Sequence, residues 1–204
     1  MLSAVIQRAV FDLSENENEL VIKAAAGDDK AFGDLIIPYE KPVYNFCLRM
    51  IGDSYDAQDI SQEVFIKIFK NIKKYRQRKG VSFKSWVFAI ANNACIDEFR
   101  RRKSRIRPES LDRETEAGDE PAMQIESHET APDEAVIKKE RHAALRKAIS
   151  DLPEDFKRMI ILRELRGLSY EEISQATGLN IGTVKSKISR ARDHLSEQLK
   201  KIYV

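Results

Sequence analysis

A cluster of basic and hydroxyl side chains near the C-terminus is the part of the sequence best suited to hold a polyanion. Ammonium, guanidinium and hydroxyl groups hydrogen-bond phosphate oxygens and the acceptors on base edges. Apolar Val184, Ile188 and Ala191 recur among them at spacings of three and four, so the polar side chains between them share an outward face. The cluster comprises Thr183, Lys185, Ser186, Lys187, Ser189, Arg190 and Arg192.

The residues around this cluster predict a helix-turn-helix. Ser169 and Glu172 have the spacing of a capping box that starts one helix. Gly178 permits the left-handed backbone of a sharp turn, and Asn180 can cap the helix that follows. In such a motif the second helix enters the major groove, so the segment is predicted to bind duplex DNA. An amphipathic helical hairpin with a solvated basic face is the alternative.

A second group combines aromatic and basic side chains and could hold single-stranded DNA. Exposed bases need apolar or aromatic platforms, and their phosphates need cations. The group lies beside a basic loop at residues 76–81, and its members are Phe83, Trp86, Phe88, Asn93, Asp97, Arg100 and Arg101. Asn93 and Asp97 lie four residues apart, so both could face base edges from one side of a helix. For each aromatic taken alone a place in the core is favoured, and the arginines could form a solvated face.

Charge is distributed in blocks, although the formal net charge is only +2. Fourteen basic residues lie between Lys67 and Arg107, opposed by two carboxylates. From Glu109 to Ala135 the balance reverses, with ten carboxylates and one arginine. Residues 108–132 therefore predict a flexible, self-repelling acidic linker, with a short acidic helix as the alternative. Two basic blocks on either side of it indicate two separate contacts with a polyanion.

The elements that must position these side chains are predicted to be all-α, in two small domains at residues 17–107 and 133–204. Glycine and proline are scarce, and strand-like alternation is hard to find. Helical spacing predicts a first helix over about 17–26 and a long second one from Asp28 or Asp29 to Gly52, kinked at Pro38 and Pro42. The other predicted helices cover about Asp56–Tyr75, Ser82–Arg102, Ile137–Ser150 and Pro153–Gly167, followed by the helix-turn-helix.

The third of these helices has the clearest pattern. Its predicted buried stripe consists of Ala57, Ile60, Val64, Phe65, Ile68, Phe69 and Ile72. The opposite face offers Asp56, Asp59, Gln62 and Glu63.

Several function classes find no support in the sequence. No apolar run approaches the roughly 18 residues that span a bilayer, and the first 18 residues have no pattern of a signal peptide. Cys47 and Cys95 lie inside apolar helical patterns and are predicted to be buried free thiols in a reducing cytoplasm rather than a disulfide. The three histidines are scattered, and no phosphate-binding glycine loop is found. Neither a metal, a cofactor nor an enzymatic activity is expected.

Five motifs resemble those of the extracytoplasmic-function (ECF) group of bacterial sigma factors, in the group's order and spacing. The resemblance covers about residues 17–107 and 133–200. The motifs are Gly27–Phe32, Gly52–Phe65, Ser82–Trp86, Asn93–Asp97 and Leu152–Ile173.

The resemblance implies a protein that binds core RNA polymerase, directs it to promoters and helps to melt the DNA. The N-terminal domain would dock on the β′ clamp of the polymerase through Asp56, Asp59, Gln62 and Glu63. The second group of residues would recognise and open the minus-ten element. The C-terminal domain would read the minus-thirty-five element through the basic cluster, and the β flap is the other implied contact on the polymerase. An anti-sigma factor is an implied partner, and membrane insertion is not expected.

Two other classes remain as alternatives. A conventional two-domain regulator would bind duplex operators with the helix-turn-helix and dimerise or sense a ligand with the N-terminal bundle. A nucleic-acid-processing enzyme would require a metal or a nucleotide.

Overall fold

Helices make up nearly all of the described molecule. The computed structural model describes residues 16–75, 82–105 and 132–202, and no strand occurs within these ranges. The predicted all-α class is confirmed. The basic loop at 76–81 and the linker at 108–131 lie outside the described residues.

The described part of the N-terminal half contains five α-helices. α1 covers residues 16–26 and ends at Gly27, as predicted. Asp28 starts the second helix by accepting a hydrogen bond from Ala31 N at 3.0 Å. Asp53 does the same for the fourth helix, because its Oδ1 accepts from Asp56 N at 2.9 Å. The remaining bounds are α2 Asp29–Ile36, α3 Glu40–Ile51, α4 Ser54–Asn71 and α5 Phe83–Arg105.

The long second helix of the prediction is divided in two. A 3-10 turn at Ile37–Tyr39 separates α2 from α3, and Pro38 lies inside it. Pro42 occupies the first turn of α3, where a missing N–H costs no helical hydrogen bond. The expected kinks are therefore a helix break and a helix start.

The C-terminal half begins with α6, Pro132–Ser150, five residues earlier than predicted. α7 covers Glu154–Ile160 and continues as a π-helical turn over Ile161–Leu165. α8, Tyr170–Thr177, and α9, Ile181–Ile202, form the predicted helix-turn-helix.

The local signals of the helix-turn-helix act as predicted. Ser169 Oγ accepts from Glu172 N at 3.1 Å, while Ser169 N donates to Glu172 Oε2 at 2.8 Å, which completes the capping box. Gly178 has φ +71°, a left-handed conformation that ends α8. Asn180 Oδ1 accepts from Thr183 N at 2.8 Å and caps α9. These contacts fix the angle between the two helices before any longer-range packing.

α3, α4 and α5 enclose the core of the N-terminal half. Phe46 of α3 and Phe88 of α5 meet edge to face with their ring centroids 5.7 Å apart, and both are fully buried. Cys47 and Cys95 are buried free thiols, as predicted. A hydrogen bond with Cys47 and burial raise the pKa of the Cys95 thiol, which keeps it protonated and inert.

The two halves pack against each other along a surface, here called the domain seam, formed by α3 and α5 from one half and by α7, α8 and the turn between them from the other. Ser82 donates a hydrogen bond to the Glu172 carboxylate, 90 residues away in the chain. Arg166 Nη1 donates to Pro42 O at 3.3 Å. The first helix of the helix-turn-helix is therefore held against the N-terminal end of α5.

Candidate nucleic-acid interfaces and the outer face of α4

The outward face of α9 consists of polar side chains near its start. Lys185, Ser186, Ser189 and Arg190 are exposed, while Val184, Ile188 and Ala191 are buried beneath them. Thr183 is half-buried. Ser186 Oγ donates to Thr183 O at 3.0 Å, so this hydroxyl retains an acceptor lone pair toward solvent. Because the N-terminal part of a recognition helix is the part that reaches base edges, this face has the geometry for reading duplex DNA.

Two other members of the predicted cluster are tied to the preceding helices. Lys187 forms an ion pair with Asp155 of α7, and Arg192 Nη2 lies 2.6 Å from Glu164 Oε1. The hydrogen bond from Lys187 lowers the pKa of Asp155, and the bond to Glu164 raises the pKa of Arg192. Both cations therefore fasten α9 to the segment before α8.

Tyr170, at the start of α8, organises two cations that lie far apart in the sequence. The Arg163 guanidinium lies 4.6 Å from the centre of its ring, and the Lys185 ammonium lies 5.6 Å from it. Cation–π contacts of this kind orient a flexible cation without neutralising it. Arg163 and Tyr170 were not among the predicted site residues. The signal in the sequence that could have identified them is Tyr170 itself, which directly follows the capping Ser169.

The aromatic side chains of α5 divide into core and surface. Phe83 and Phe88 are 2% and 1% exposed, so the prediction that they contact bases is corrected for this conformation: they belong to the core. They lie on the inward side of α5, where Tyr39 and Tyr75 pack edge to face on Phe83. Trp86 is half-buried, with its ring centre 5.1 Å from that of Tyr75, and it is the accessible one among the three aromatics predicted to contact bases.

Polar side chains of α5 line one exposed face. Asn93, Asp97 and Arg100 are exposed at spacings of four and three. Arg100 Nη1 is 3.6 Å from Asp97 Oδ1, a long and exposed ion pair that contributes little. Arg101 is less free, since it pairs with Glu63 and Glu98 at 3.4 Å each.

The outer face of α4 carries apolar as well as polar side chains. Asp59 and Gln62 are exposed, whereas Asp56 and Glu63 pair with arginines of α5. Phe69 was predicted to be buried, but it is 53% exposed and meets Phe32 of α2 only at one edge. The exposed stripe, here called the α4 stripe, runs over Tyr55, Asp59, Gln62, Ile66 and Phe69.

The α4 stripe combines apolar and polar groups in one row. Its apolar members, Tyr55, Ile66 and Phe69, are 81%, 53% and 53% exposed. A contiguous row of exposed apolar side chains with polar neighbours is typical of surfaces that bind another protein. The spacing of three and four residues that places Asp59 and Gln62 on the outer face of α4 also places Tyr55 and Ile66 there. This spacing is the signal in the sequence that could have identified the two apolar residues.

Other kinds of site find no counterpart in the described ranges. Within them, no group of three or more His, Cys, Asp or Glu side chains could hold a metal ion. In the same ranges no helix has the length and apolar character needed to cross a membrane.

Comparisons with known proteins agree with the motifs. Residues 35–105 match the family described as Sigma-70 region 2, and residues 142–195 match Sigma-70, region 4. The chain is 33% identical over 176 residues to the ECF RNA polymerase sigma factor SigW of Bacillus subtilis, covering 85% of this chain and 91% of that protein. It is 32% identical over 188 residues to the RNA polymerase sigma-H factor of Pseudomonas aeruginosa, covering 91% and 94%.

Solved structures share the fold. CnrH in complex with the cytosolic domain of CnrY matches with a TM-score of 0.63 at 21% identity, over 91% of this chain and 98% of that one. The sigma factor RpoE in complex with the anti-sigma factor NepR from Bartonella quintana matches with a TM-score of 0.62 at 24% identity, over 84% and 98%. Together with the relatives that match along most of their length, the two sigma-70 regions identify the chain as a member of the ECF group of bacterial RNA polymerase sigma factors, which are transcription initiation factors rather than enzymes.

Proposed function

We propose that three surfaces of this sigma factor divide the work of initiation: the α4 stripe binds core polymerase, the exposed face of α5 engages the minus-ten element, and the start of α9 reads the minus-thirty-five element. The proposed units are residues 17–107 for the first two surfaces and 133–204 for the third. The work takes place in the cytoplasm, where bacterial RNA polymerase transcribes.

The α4 stripe is the single observation that carries the proposal. This exposed apolar row lies on a helix remote from the recognition helix, where it can bind a partner protein without covering the face proposed to read DNA. Asp59 and Gln62 supply hydrogen-bonding specificity at the centre of the stripe, and Ile66 and Phe69 supply apolar area. We assign the β′ clamp as the partner of this stripe. Asp56 and Glu63 contribute from its border, where their partners on α5 hold them.

For the minus-ten element, the support lies in one accessible ring and a polar row. Trp86 offers a platform for an unpaired base, and Asn93 and Asp97 offer hydrogen-bonding groups one turn apart. Arg100 is the exposed cation for the neighbouring phosphate. Arg101 reaches a phosphate only by exchanging its carboxylate partners.

For the minus-thirty-five element, the exposed residues at the start of α9 are the proposed readers. Arg190 can take a guanine edge bidentately, whereas Lys185 provides a single ammonium for a phosphate or one acceptor. Ser186 and Ser189 adapt to either kind of base. Thr183 lies closest to the turn and suits a phosphate contact. Lys187 and Arg192 act by fixing the position of α9 through their ion pairs. The C-terminal domain is also the proposed contact of the β flap.

An anti-sigma factor is the remaining proposed partner. The solved complex with NepR involves a sigma factor of the same fold. A protein that covers the α4 stripe would remove apolar surface from water and block polymerase binding at the same time. The proposed inhibitor therefore competes with core polymerase for Ile66 and Phe69.

The test compares DNA binding with and without core polymerase. Fluorescently labelled promoter fragments are titrated with the protein alone and with the protein plus core polymerase. The proposal expects weak binding alone and a long-lived, heparin-resistant complex with polymerase, lost when Ile66 and Phe69 are both changed to Ser. Specific, tight binding by the protein alone would instead identify a conventional regulator.

A further inference from the structure

Two arginines and one lysine lie at the domain seam, and none of the ion pairs found among the described residues includes them. Arg166 follows the π-helical turn and reaches across the seam, where its Nη1 donates to Pro42 O at 3.3 Å. Its guanidinium lies 5.8 Å from the centre of the Phe88 ring. The ammonium of Lys84 is 3.8 Å from the position that a Cβ would take at Gly167, the next residue.

Arg49 approaches the same place from α3. Pro42, Phe46 and Arg49 are spaced by four and three residues, so they share the face of α3 that Arg166 contacts. Phe46 packs on the same Phe88 ring that lies beneath Arg166. The two guanidinium groups are therefore neighbours contributed by different halves of the chain.

Both arginines retain unused donors in a buried position. The Nε atoms of Arg49 and Arg166 are buried and have no acceptor, and within the described ranges no carboxylate pairs with either side chain. Burial and the neighbouring Arg49 lower the pKa of Arg166. A buried donor without a partner costs free energy, and two unpaired like charges cost more. The bond to Pro42 O and the Phe88 ring offset part of this cost for Arg166, but no acceptor among the described residues reaches either Nε atom.

The missing partner has a definite chemistry. A guanidinium fork matches the oxygens of a phosphate group, with two parallel hydrogen bonds to one anion. Two guanidinium groups and one ammonium favour an anion with at least two negative charges. We propose that a phosphate-bearing anion with two or more charges binds at the domain seam between Arg49 and Arg166 and links the two halves of the molecule.

Calorimetry with inorganic pyrophosphate tests this proposal on the full chain, with NaCl adjusted to keep the ionic strength constant. We expect one site in the wild type. The affinity should fall about ten-fold or more in Arg49→Gln and in Arg166→Gln, because each loses a charge-assisted fork. Arg49→Lys keeps the charge without the fork and should recover only part of the loss. Arg141→Gln, an exposed position on α6, is the matched control and should bind as the wild type does.

Two further ligands define the chemical class. A nucleoside diphosphate that binds at least as tightly as pyrophosphate supports the phosphate assignment, whereas malonate that binds equally well overturns it. Absence of heat from pyrophosphate with the wild type, or equal affinity in folded Arg49→Gln, also overturns the proposal. Circular dichroism establishes folding, and Arg49→Gln alone decides the outcome if Arg166→Gln does not fold.

Discussion

Arg101 of α5 and Glu63 of α4 form an ion pair, with 3.4 Å between Arg101 Nη2 and Glu63 Oε2. Their side chains are 48% and 40% exposed, so the pair is weak and open to exchange with water or a partner. It nevertheless joins a residue proposed to reach DNA phosphate with a residue proposed to border the polymerase surface. The packing of α4 against α5, which this pair borders, sets the spacing between the two surfaces within the N-terminal half.

Replacing Asp59 is expected to weaken polymerase binding without changing the stability of the fold. Its carboxylate is exposed at the centre of the α4 stripe and has no ion pair among the described residues. Asp59→Asn should leave the free energy of unfolding unchanged within about 0.5 kcal/mol. It should weaken binding to core polymerase by roughly 1 kcal/mol or more, measured by competition with a labelled sigma factor. Asp34→Asn, an exposed change on α2, is the control, and equal losses in both variants would contradict the assignment of the stripe.

Trp86 and Phe88 should respond in opposite ways to truncation. Phe88→Ala removes a buried ring and should lower the free energy of unfolding by about 3–5 kcal/mol. Trp86→Ala should cost less stability, because the ring is only half-buried, yet it should strongly reduce permanganate reactivity of thymines in the minus-ten region. Phe88→Leu, which retains most of the volume, should open DNA normally. An opening defect in Phe88→Leu with none in Trp86→Ala would reverse the roles of the two rings.

Arg190 is expected to contribute specificity at the minus-thirty-five element. Arg190→Ala should cost about 1–3 kcal/mol in the affinity of holoenzyme for the promoter, if the guanidinium takes a guanine edge. Replacing that guanine should weaken promoter binding by the wild-type holoenzyme by a similar free energy and should barely change binding by the variant. A quantitative assay of promoter-complex formation measures both. Arg141→Ala removes an equal charge from α6 and serves as the control. A uniform loss on every sequence would show a phosphate contact instead.

Asp155 should make stability depend on pH in the acid range. The hydrogen bond from Lys187 lowers the pKa of Asp155 below its ordinary value of 3.8. A lowered folded-state pKa means that the stabilisation is complete above that ordinary value and is lost as the pH falls through the folded value. Asp155→Asn should therefore lower the free energy of unfolding by under about 1 kcal/mol at neutral pH.

Urea unfolding between pH 7 and pH 3 measures this effect. The difference between the wild type and Asp155→Asn should shrink toward the acid end. Asp193→Asn, an exposed change on α9 with no ion pair among the described residues, should not reproduce it. A difference that stays constant with pH would rule out the ion pair as its source.

Local patterns predicted the helix-turn-helix because its signals lie within a few residues of one another. The Ser169–Glu172 capping box and the left-handed Gly178 depend on nothing farther along the chain. Helical spacing also predicted the helix over about Ser82–Arg102, but it could not assign Phe83 and Phe88, since core and base-stacking sites use the same residue types.

Longer-range features had no such signal. Phe69 continues the apolar spacing of α4 and is exposed only because no described helix covers the end of that face. The contact of Arg166 with Pro42 joins residues 124 positions apart, and no pattern near either one indicates the other. The domain seam and its unpaired arginines are therefore visible only in the folded molecule.

The most direct measurement maps the 5′ ends of transcripts made from genomic DNA by purified core polymerase, with and without this protein. We predict a distinct set of start sites that appears only with both components, shares two upstream elements and is lost with the Ile66→Ser, Phe69→Ser double variant. An unchanged pattern of start sites when a folded, active preparation is added would contradict a role in promoter selection.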